Sequence, residues 1–570
     1  MTPNTTYTAP LVVLEAIDGT LVAHRPDVQR VELPAEVTDL ASAAAWALAY
    51  GLGSARLHKF GEDSGPLLVL TESATVAFGL PVEIEDRKNL RLPADHPAAV
   101  ALTEAGWSLS RAGLAPWSLL FKGREEVRIA VLPWDAFGDH MRWGGIADVA
   151  STPSALAYSL GLYAERVLSP TGSTAGCGLA LMEAVRPPTR IVFEKGTGRM
   201  HREPIEGSLS VPVDPAPPEA IDEHPVAEGR TREEAESPAH VQFEEVLAWW
   251  REPTEEERRL PYVVGLDINT AFLAASNRLT VGLGAAEYTD GPAFDKKIPG
   301  TWLVDFSGVR LRTRDLATKQ WKELPEHFPS PFTPTGAAPT GPAWYTTQTV
   351  AYAVELGVDV RPIAGWLRPQ PFGYLNLWYE RLQGAYMETL ADLGITPDMP
   401  EEKFLDAMES LGSADPEALA VLSAIKQTAK GGLGKMRERP RGKRAGGRHA
   451  PWPALKRPTW RADIRAAVIS AARVGGHRKM VKTWNANGLV PLAVLSDCVI
   501  YASAYPTVRA VVPRTPEGGP LSGGFRIGPN PGYCKQEGVR PLAWYVETIG
   551  KGLNPGRYIK AGRDAVAEGE

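Results

Sequence analysis

The sequence predicts a multidomain protein of mixed α/β or α+β fold, and three observations support that prediction. Its 570 residues correspond to two to four domains at roughly 100–200 residues each. Hydrophobic residues make up 44% of the chain, which is enough to fill buried cores. In residues 10–205, short apolar strands such as 66–70 and 127–134 alternate with helical stretches such as 38–52.

The composition excludes several classes of protein. Lysine and arginine number 61 against 67 aspartates and glutamates, so the chain is not a histone-like basic protein. Its three cysteines, Cys177, Cys498 and Cys534, are too few and too scattered for a disulfide framework or a cysteine-based zinc site. The N-terminal residues contain no basic region and only a short apolar run, so we expect neither a signal peptide nor a membrane span. These features predict a cytoplasmic protein.

A segment rich in proline and glutamate follows the first domain. Residues 214–257 contain 14 acidic residues and three arginines. This composition is typical of a solvated linker. The alternative is an acidic arm that competes with nucleic acid for a basic groove.

The charge reverses between residues 424 and 482, where 17 lysines and arginines accompany only Glu438 and Asp463. Phosphate contacts supply most of the non-specific affinity of nucleic-acid-binding proteins, so this run predicts a polyanion site. The alternative is a solvated basic face. The sequence has no GxxxxGKS/T phosphate loop, no HExxH motif and no zinc-finger spacing, which disfavours helicase or ATPase chemistry.

Two of three chemically suggestive segments carry an aspartate beside a β-strand. The run 262–267 is an apolar strand that ends in Asp267, where a divalent cation can stabilise the charge of a buried carboxylate. A helix-capping aspartate gives the same pattern. The run 490–501 predicts a hairpin with Asp497 at its tip, although aspartate is also a common turn residue.

The third segment, residues 424–436, predicts a basic helix. Lys426 and Lys430 lie at i and i+4 on one face, where they repel unless an anion such as a triphosphate lies between them. The glycines that follow allow close approach either by a base pair or by packed side chains. A plain basic helix with a glycine C-cap is the alternative.

The order of these segments resembles that of family-B DNA polymerases. Residues 267–272 resemble the DxxSLYP motif, especially the DVNSLYP form of protein-primed phage enzymes, and residues 426–435 resemble KxxxNSxYGK. Residues 495–498 occupy the place of the DTDS hairpin, and residues 378–386 resemble the other fingers helix. The resemblance covers about residues 258–540.

The resemblance implies roles for individual residues. Asp267 and Asp497 are implied to be catalytic and to bind two Mg²⁺ or Mn²⁺ ions. Lys426, with Arg381 or Lys430, is implied to neutralise the triphosphate of an incoming nucleotide. Phe272 stands where an aromatic residue excludes a ribose 2′-hydroxyl, and Lys535 is expected at the primer terminus. The residues expected to bind DNA along the template strand are Lys435, Arg437, Arg439, Arg441, Lys443, Arg444 and Arg448.

The resemblance also implies a division into domains. The expected regions are a degenerate exonuclease-like (RNase H-like) domain at 1–205, an acidic linker at 206–257, the first part of the palm at 258–350, fingers helices at 351–436, a basic segment with the second part of the palm at 437–512, and a small thumb-like region at 513–570.

The sequence departs from the polymerase motifs at several positions. The first aspartate of the hairpin pair falls on Leu495, Lys430 replaces an asparagine, and Leu433 replaces the tyrosine beneath the incoming base pair. Residues 57–63 and 158–161 lie where the second and third exonuclease motifs belong, but the carboxylate of the third falls on Gly161 and no DxE pair precedes it. We therefore expect no proofreading activity.

Over nearly the whole chain the sequence resembles the telomere-associated protein family of actinomycete linear replicons, in segments such as 265–284, 292–309, 464–474 and 491–501. The resemblance implies a cytoplasmic, nucleoid-associated protein that binds single-stranded or end DNA, engages the terminal protein as a protein primer, and uses dNTPs for end patching. It implies no membrane partner. Family members usually begin with a helix-turn-helix domain, whereas this sequence begins with the exonuclease-like region.

Two other functions remain open at the level of sequence. One is a catalytically inactive scaffold that binds single-stranded telomeric DNA and recruits the terminal protein, which Leu495 and Lys430 favour. The other is a Mg²⁺-dependent nuclease with paired aspartates, which has less need of Lys426 on a fingers helix.

Overall fold

The computed structural model describes residues 6–85, 90–150, 152–194, 199–442 and 444–560. Its mixed α and β content confirms the predicted class. Lys443, one of the predicted DNA-binding residues, lies outside the described residues.

The chain divides into two units that are each assembled from separate parts of the sequence. The first unit contains residues 1–208, 380–394 and 410–435. The second contains residues 209–379, 395–409 and 436–570. The region expected to form the fingers is therefore divided between the units.

The strands and helices are defined here within the described residues. The strands are β1 (Leu11–Ile17), β2 (Thr20–His24), β3 (Arg30–Glu32), β4 (Leu67–Leu70), β5 (Ser108–Leu109), β6 (Trp117–Lys122), β7 (Glu125–Val131), β8 (Thr189–Phe193), β9 (Met200–Pro204), β10 (Ala248–Trp250), β11 (Tyr262–Ile268), β12 (Val281–Gly282), β13 (Glu287–Asp290), β14 (Gly300–Asp305), β15 (Arg312–Arg314), β16 (Trp321–Glu323), β17 (Pro342–Thr346), β18 (Ala364–Leu367), β19 (Pro371–Phe372), β20 (Ala493–Leu495), β21 (Cys498–Ser503) and β22 (Cys534–Pro541). The α-helices are α1 (Leu40–Ala49), α2 (Glu72–Ala77), α3 (Pro97–Glu104), α4 (Ile146–Val149), α5 (Pro153–Arg166), α6 (Thr174–Val185), α7 (Arg232–Glu236), α8 (Ala271–Ser276), α9 (Thr347–Glu355), α10 (Asn376–Asp392), α11 (Glu401–Ser410), α12 (Pro416–Lys435), α13 (Ala462–Asn487) and α14 (Leu542–Gly550).

The first unit is organised around a seven-stranded sheet with the order β3-β2-β1-β4-β7-β6-β5. Strands β1, β4 and β7 are parallel neighbours, and the remaining pairs are antiparallel. All four residues of β4 are apolar and fully buried, as expected for a strand that is covered on both faces.

Helices α6 and α12 of the first unit pack through glycines. A Cβ added to Gly178 would lie 2.2 Å from the carbonyl oxygen of Thr428 and 2.8 Å from the Cα of Gly432. A Cβ on Gly431 would meet Ala175 at 2.6 Å. Packing against α6 therefore accounts for Gly431 and Gly432 of the lysine motif, whereas a Cβ on Gly434 would meet nothing within 4 Å. The alternative of a glycine C-cap is wrong, because α12 continues through these glycines to Lys435.

The second unit contains a five-stranded antiparallel sheet with the order β10-β20-β21-β11-β22 and a four-stranded antiparallel sheet with the order β13-β18-β14-β17. Helix α14 contributes Leu542, Tyr545 and Ile549 to a core that also contains Val263 of β11. This apolar layer supports the sheet that carries Asp267 and Asp497.

The acidic segment is folded against the second unit, which corrects the prediction of a solvated linker. Glu219 pairs with Arg368, and Glu244 pairs with Arg473, with all four side chains no more than 2% exposed. Glu244 also accepts hydrogen bonds from the hydroxyls of Thr346 and Thr349, at 3.1 and 2.8 Å. Buried charges persist only when they are paired, so these ion pairs fix the acidic segment in place.

Among the described residues, no helix combines the length and the apolar character needed to cross a lipid bilayer.

The glycine packing between α6 and α12 predicts opposite effects for two alanine substitutions. Gly178→Ala should lower the free energy of unfolding by about 1–3 kcal/mol, because the new methyl group overlaps the backbone of α12. Gly434→Ala is the control, since its Cβ would meet nothing within 4 Å, and it should stabilise the helix by up to about 1 kcal/mol. Denaturant titration measures both, and equal stability of the two variants would contradict this packing.

The buried His477 of α13 predicts a pH-dependent stability. Its Nδ1 accepts a hydrogen bond from the Tyr352 hydroxyl at 2.7 Å, its Nε2–H donates to the Pro329 carbonyl at 2.9 Å, and burial lowers its pKa to about 4. Because the folded pKa lies below the ordinary 6.5, this stabilisation is complete above pH 6.5 and is lost as the pH falls through 4.

We expect the wild type to lose about 3 kcal/mol more than His477→Gln between pH 6.5 and 4. Urea titrations at several pH values in this window measure the difference. The same slope in both proteins would show that His477 is not the titrating group.

Candidate active site at one end of the five-stranded sheet

Strand β11 places Asp267 between two neighbouring strands. It pairs antiparallel with β21 on one side, where Asp267 is opposite Cys498, and with β22 on the other, where Asp267 is opposite Lys535. The strand buries the apolar side chains of Val263, Val264 and Leu266 completely. The Asp267 side chain, in contrast, is partly accessible to solvent, with 16% of its surface exposed. The apolar residues thus hold the strand in the sheet while the carboxylate reaches its surface.

The hairpin of β20 and β21 brings Asp497 to the same end of the sheet. Leu495 pairs with Cys498, so Ser496 and Asp497 form a two-residue turn, in which Ser496 adopts a left-handed φ of 58°. The Ile268 amide donates a hydrogen bond to the Asp497 carbonyl oxygen at 3.1 Å. The predicted strand and hairpin are therefore confirmed, and the backbones of the two aspartates lie close together although they are 230 positions apart in the sequence. Their role as metal ligands stays a prediction.

Lys535 supplies a cation within this cluster. Its Nζ donates a hydrogen bond to Asp267 Oδ2 and lies 3.7 Å from Glu537 Oε2. The exposed fractions of the three side chains are between 16% and 19%. The sequence predicted Lys535 near a primer terminus, and the structure places its ammonium group on the candidate metal-binding carboxylate.

The turn after β11 is held by a loop that the sequence analysis did not single out. Asn269 Nδ2 donates to the Gly528 carbonyl at 2.7 Å, and the Asn269 amide donates to the Tyr533 carbonyl at 2.8 Å. Lys479 of α13 donates to the Gly532 carbonyl at 2.6 Å. Asn269 lies within residues 267–272, which resemble the DxxSLYP motif, so its polar side chain could have indicated a contact of this kind. These contacts position α8, on which Phe272 is half-buried.

The donor set fits a metal ion that is bound together with a substrate. Asp267 and Asp497 lie on neighbouring stretches of backbone, and the described part of the chain contains no group of three or more histidine, cysteine, aspartate or glutamate side chains arranged for a metal. Mg²⁺ is commonly held by one or two carboxylates plus substrate phosphates, and it keeps several waters. The two aspartates suit that mode better than a metal cage built entirely from the protein.

The predicted phosphate-binding residues belong to the first unit. Lys426 and Lys430 are half-buried on α12, and Lys435 ends that helix. Arg381 of α10 donates to the backbone carbonyls of Glu165 and Val167, the latter at 3.1 Å.

Arg381 therefore already has hydrogen-bond partners at the C-terminal end of α5, where a positive charge is favourable. Burial lowers the pKa of its guanidinium. These contacts use part of the guanidinium group, and the role of Arg381 at a triphosphate stays a prediction.

Several predicted DNA-binding arginines pair with the acidic segment of the second unit. The pairs are Arg437 with Glu245 at 3.1 Å, Arg439 with Glu223 at 3.2 Å and Arg448 with Asp222 at 3.7 Å. Arg444 donates to the Ala450 carbonyl and lies over the ring of Trp452, 5.3 Å from its centroid. Arg441 is exposed. The basic run is thus partly neutralised within the protein.

A polar network in the first unit is centred on His24. His24 bridges Ser154 at 2.7 Å and Glu15 at 2.9 Å, and it is fully buried. Burial lowers the pKa of His24, which favours the neutral imidazole. The buried serine and histidine link β1, β2 and α5.

The pairing of Lys535 with Asp267 predicts competition between the lysine and a divalent ion. Lys535→Met should increase the affinity for Mn²⁺ several-fold, because the carboxylates no longer carry an internal counterion, and Asp267→Asn should weaken it at least tenfold. Electron paramagnetic resonance of free Mn²⁺ measures both. Asp290→Asn, on the exposed strand β13, is the control. Unchanged Mn²⁺ binding in Asp267→Asn would reject the metal site.

Part of the sequence matches a family model, and the fold is similar to that of solved structures. Residues 12–173 match a family model described as "Domain of unknown function (DUF8841)". No curated protein has significant sequence similarity to the chain. The fold is similar to that of phi29 DNA polymerase complexed with primer-template DNA and incoming nucleotide substrates, with 10% identity and a TM-score of 0.41 over 94% of this chain and 85% of that chain. For the orthorhombic crystal form of phi29 DNA polymerase, the identity is 11% and the TM-score 0.39 over 93% and 85% of the two chains. At this level of identity the similarity concerns the fold alone.

Proposed function

We propose that the chain is a telomere-associated, DNA polymerase-like protein that catalyses metal-dependent nucleotidyl transfer at Asp267 and Asp497. The observation that carries the proposal is the pairing of β11 with β21 and β22, which gathers the two aspartates and Lys535 at one end of a sheet. Two carboxylates that hold a divalent cation, with a lysine beside them, would suit a reaction in which negative charge develops on phosphate oxygens.

Each residue of the proposed site would have a separate role in nucleotidyl transfer. Asp267 and Asp497 would hold Mg²⁺ or Mn²⁺, which acts as a Lewis acid on phosphoryl oxygens. Lys535 balances the carboxylates before substrate binds, and its ammonium can donate a hydrogen bond to a primer-terminal phosphate. Phe272 would restrict the space at the sugar, and Lys426 and Lys430 are proposed as phosphate-binding residues.

The acceptor hydroxyl would belong to the terminal protein, with end DNA as the template. The hydroxyl oxygen of a serine, threonine or tyrosine attacks the α-phosphorus of a dNTP, a phosphoester bond forms, and pyrophosphate leaves. The first product is a deoxynucleotidylated protein. The support for this partner is the resemblance of residues 265–284 and 491–501 to the telomere-associated family.

The domain roles follow from the same proposal. Residues 258–350 and 437–512 would form the palm, residues 351–436 the fingers and residues 513–570 a thumb-like region. Residues 1–205 would be an exonuclease-like domain without proofreading activity. The parallel arrangement of β1, β4 and β7 beside the antiparallel β2 and β3 supports an RNase H-like ancestry.

A second function is a binding scaffold without catalysis. The specific observation that favours it is the contact of Lys535 with Asp267, because a lysine on a carboxylate provides the charge balance that a metal otherwise supplies. In that case the protein would bind single-stranded ends and recruit the terminal protein.

The test separates the two functions. The purified chain, Mg²⁺, labelled dNTPs, a template end and the terminal protein should yield labelled protein, and Asp267→Asn or Asp497→Asn should reduce labelling at least about 100-fold. Asp290→Asn, which removes an exposed carboxylate from β13, should label normally.

Binding of single-stranded DNA is measured in parallel. Labelling that persists in Asp267→Asn would reject the metal-site assignment. Normal binding without any labelling by the wild type would favour the scaffold.

A further inference from the structure

Two kinds of ion pair hold the acidic segment in place. Glu219 and Glu244 form fully buried pairs with Arg368 and Arg473. Breaking a buried pair is strongly destabilising because it leaves an uncompensated buried charge, whereas an exposed pair contributes little. The buried pairs therefore hold the segment, and the half-exposed pairs beside them can exchange partners.

Glu245 is the centre of the exchangeable contacts. Its Oε1 lies 3.1 Å from Arg437 Nη1, and its Oε2 lies 3.3 Å from Arg465 Nη2. Its side chain is 42% exposed, while those of both arginines are 23% exposed. Its backbone carbonyl accepts a hydrogen bond from Arg473 at 2.8 Å. The backbone at Glu245 is thus fixed, while its carboxylate remains open to solvent.

Two guanidinium groups share this one carboxylate, so the cluster carries an excess of positive charge. Burial lowers the pKa of the Arg437 guanidinium, and repulsion by the positive charge of Arg465 lowers it further. Arg439, whose partner is Glu223, adds to the same repulsion. Such a cluster is stabilised by any anion whose oxygens can accept hydrogen bonds from both guanidinium groups.

We propose that the Glu245 carboxylate occupies a phosphate subsite formed by Arg437 and Arg465, and that a backbone phosphate of single-stranded nucleic acid replaces it. A phosphodiester carries one negative charge, as the carboxylate does, so the exchange leaves the charge balance of the arginines unchanged. The segment then acts as an internal competitor of the strand. This inference rests on the proposed function for the identity of the ligand, and it adds Arg465 and the role of Glu245.

The neighbouring pairs extend the same surface. Arg439 with Glu223 and Arg448 with Asp222 are also contacts between the basic and acidic segments, and both arginines are 65% exposed. A strand that displaces Glu245 can therefore meet further arginines whose partners are carboxylates of the same segment.

The test measures the affinity of the full-length chain for oligodeoxythymidylate by fluorescence anisotropy at a fixed salt concentration, without metal or nucleotide. Glu245→Gln should bind about two- to fivefold more tightly than the wild type, in line with the loss of one exposed competing pair. Glu233→Gln is the matched control, since it makes the same change of charge at an exposed position of the same segment. It should alter the affinity less than about twofold.

A double-mutant cycle locates the effect. In an Arg465→Gln background, Glu245→Gln should produce a smaller increase in affinity for the oligonucleotide, because one of the two arginines of the subsite is missing. Equal affinities for Glu245→Gln and Glu233→Gln, or no binding by any of the proteins, would overturn the subsite. Failure of nucleotide labelling with the oligonucleotide result intact would overturn the catalytic proposal alone.

Discussion

The register of β11 against β22 is the constraint on which the candidate site depends. Gly265 is opposite Gly538, and the register shifts by a bulge directly after Gly265. A Cβ on Gly265 would lie 2.8 Å from Ile559 Cδ1, and one on Gly538 would lie 2.4 Å from the Ile559 carbonyl oxygen. Ile559 therefore packs where the two glycines leave room. A slip of one residue would turn Asp267 to the other face of the sheet and separate it from Lys535.

A second constraint is the mutual neutralisation of two segments that are far apart in the sequence. Residues 214–257 carry the excess of acid, and residues 424–482 carry the excess of base. The buried pair of Glu244 with Arg473 places opposite charges where neither is stable alone. Once that pair forms, the half-exposed carboxylates of the acidic segment lie beside the arginines that the sequence assigns to nucleic acid.

Local patterns predicted the elements that carry the site, and they failed where the partner of a residue is set by tertiary structure. The apolar run before Asp267 and the Ser496-Asp497 turn are visible in the sequence, because strand burial and turn chemistry act over a few residues. The acidic segment looked like a linker, because composition does not reveal that Glu219 and Glu244 meet arginines more than a hundred residues away. The contact of Arg381 with the end of α5 could not be predicted either, because no local pattern shows it.

The pairing of Lys535 with Asp267 also could not be predicted from the sequence. It depends on a bulge, and the position of a bulge sets which residue of β22 lies opposite the carboxylate. The glycines of α12 left two interpretations open, and only the contact with Gly178 selects helix packing.

The candidate site and the basic segment follow the same electrostatic logic. At the sheet, a lysine balances a carboxylate that is proposed to bind a cation, and at Glu245 a carboxylate balances arginines that are proposed to bind an anion. An unpaired, partly buried charge is costly, so a ligand-binding group that must remain ionised in the absence of its ligand needs an internal counterion. If that counterion were deeply buried, a ligand could not displace it at reasonable cost. The exposure of Glu245 keeps its pairs weak and exchangeable while the buried pairs preserve the fold, and at the sheet a divalent ion would have to compete with the less exposed Lys535.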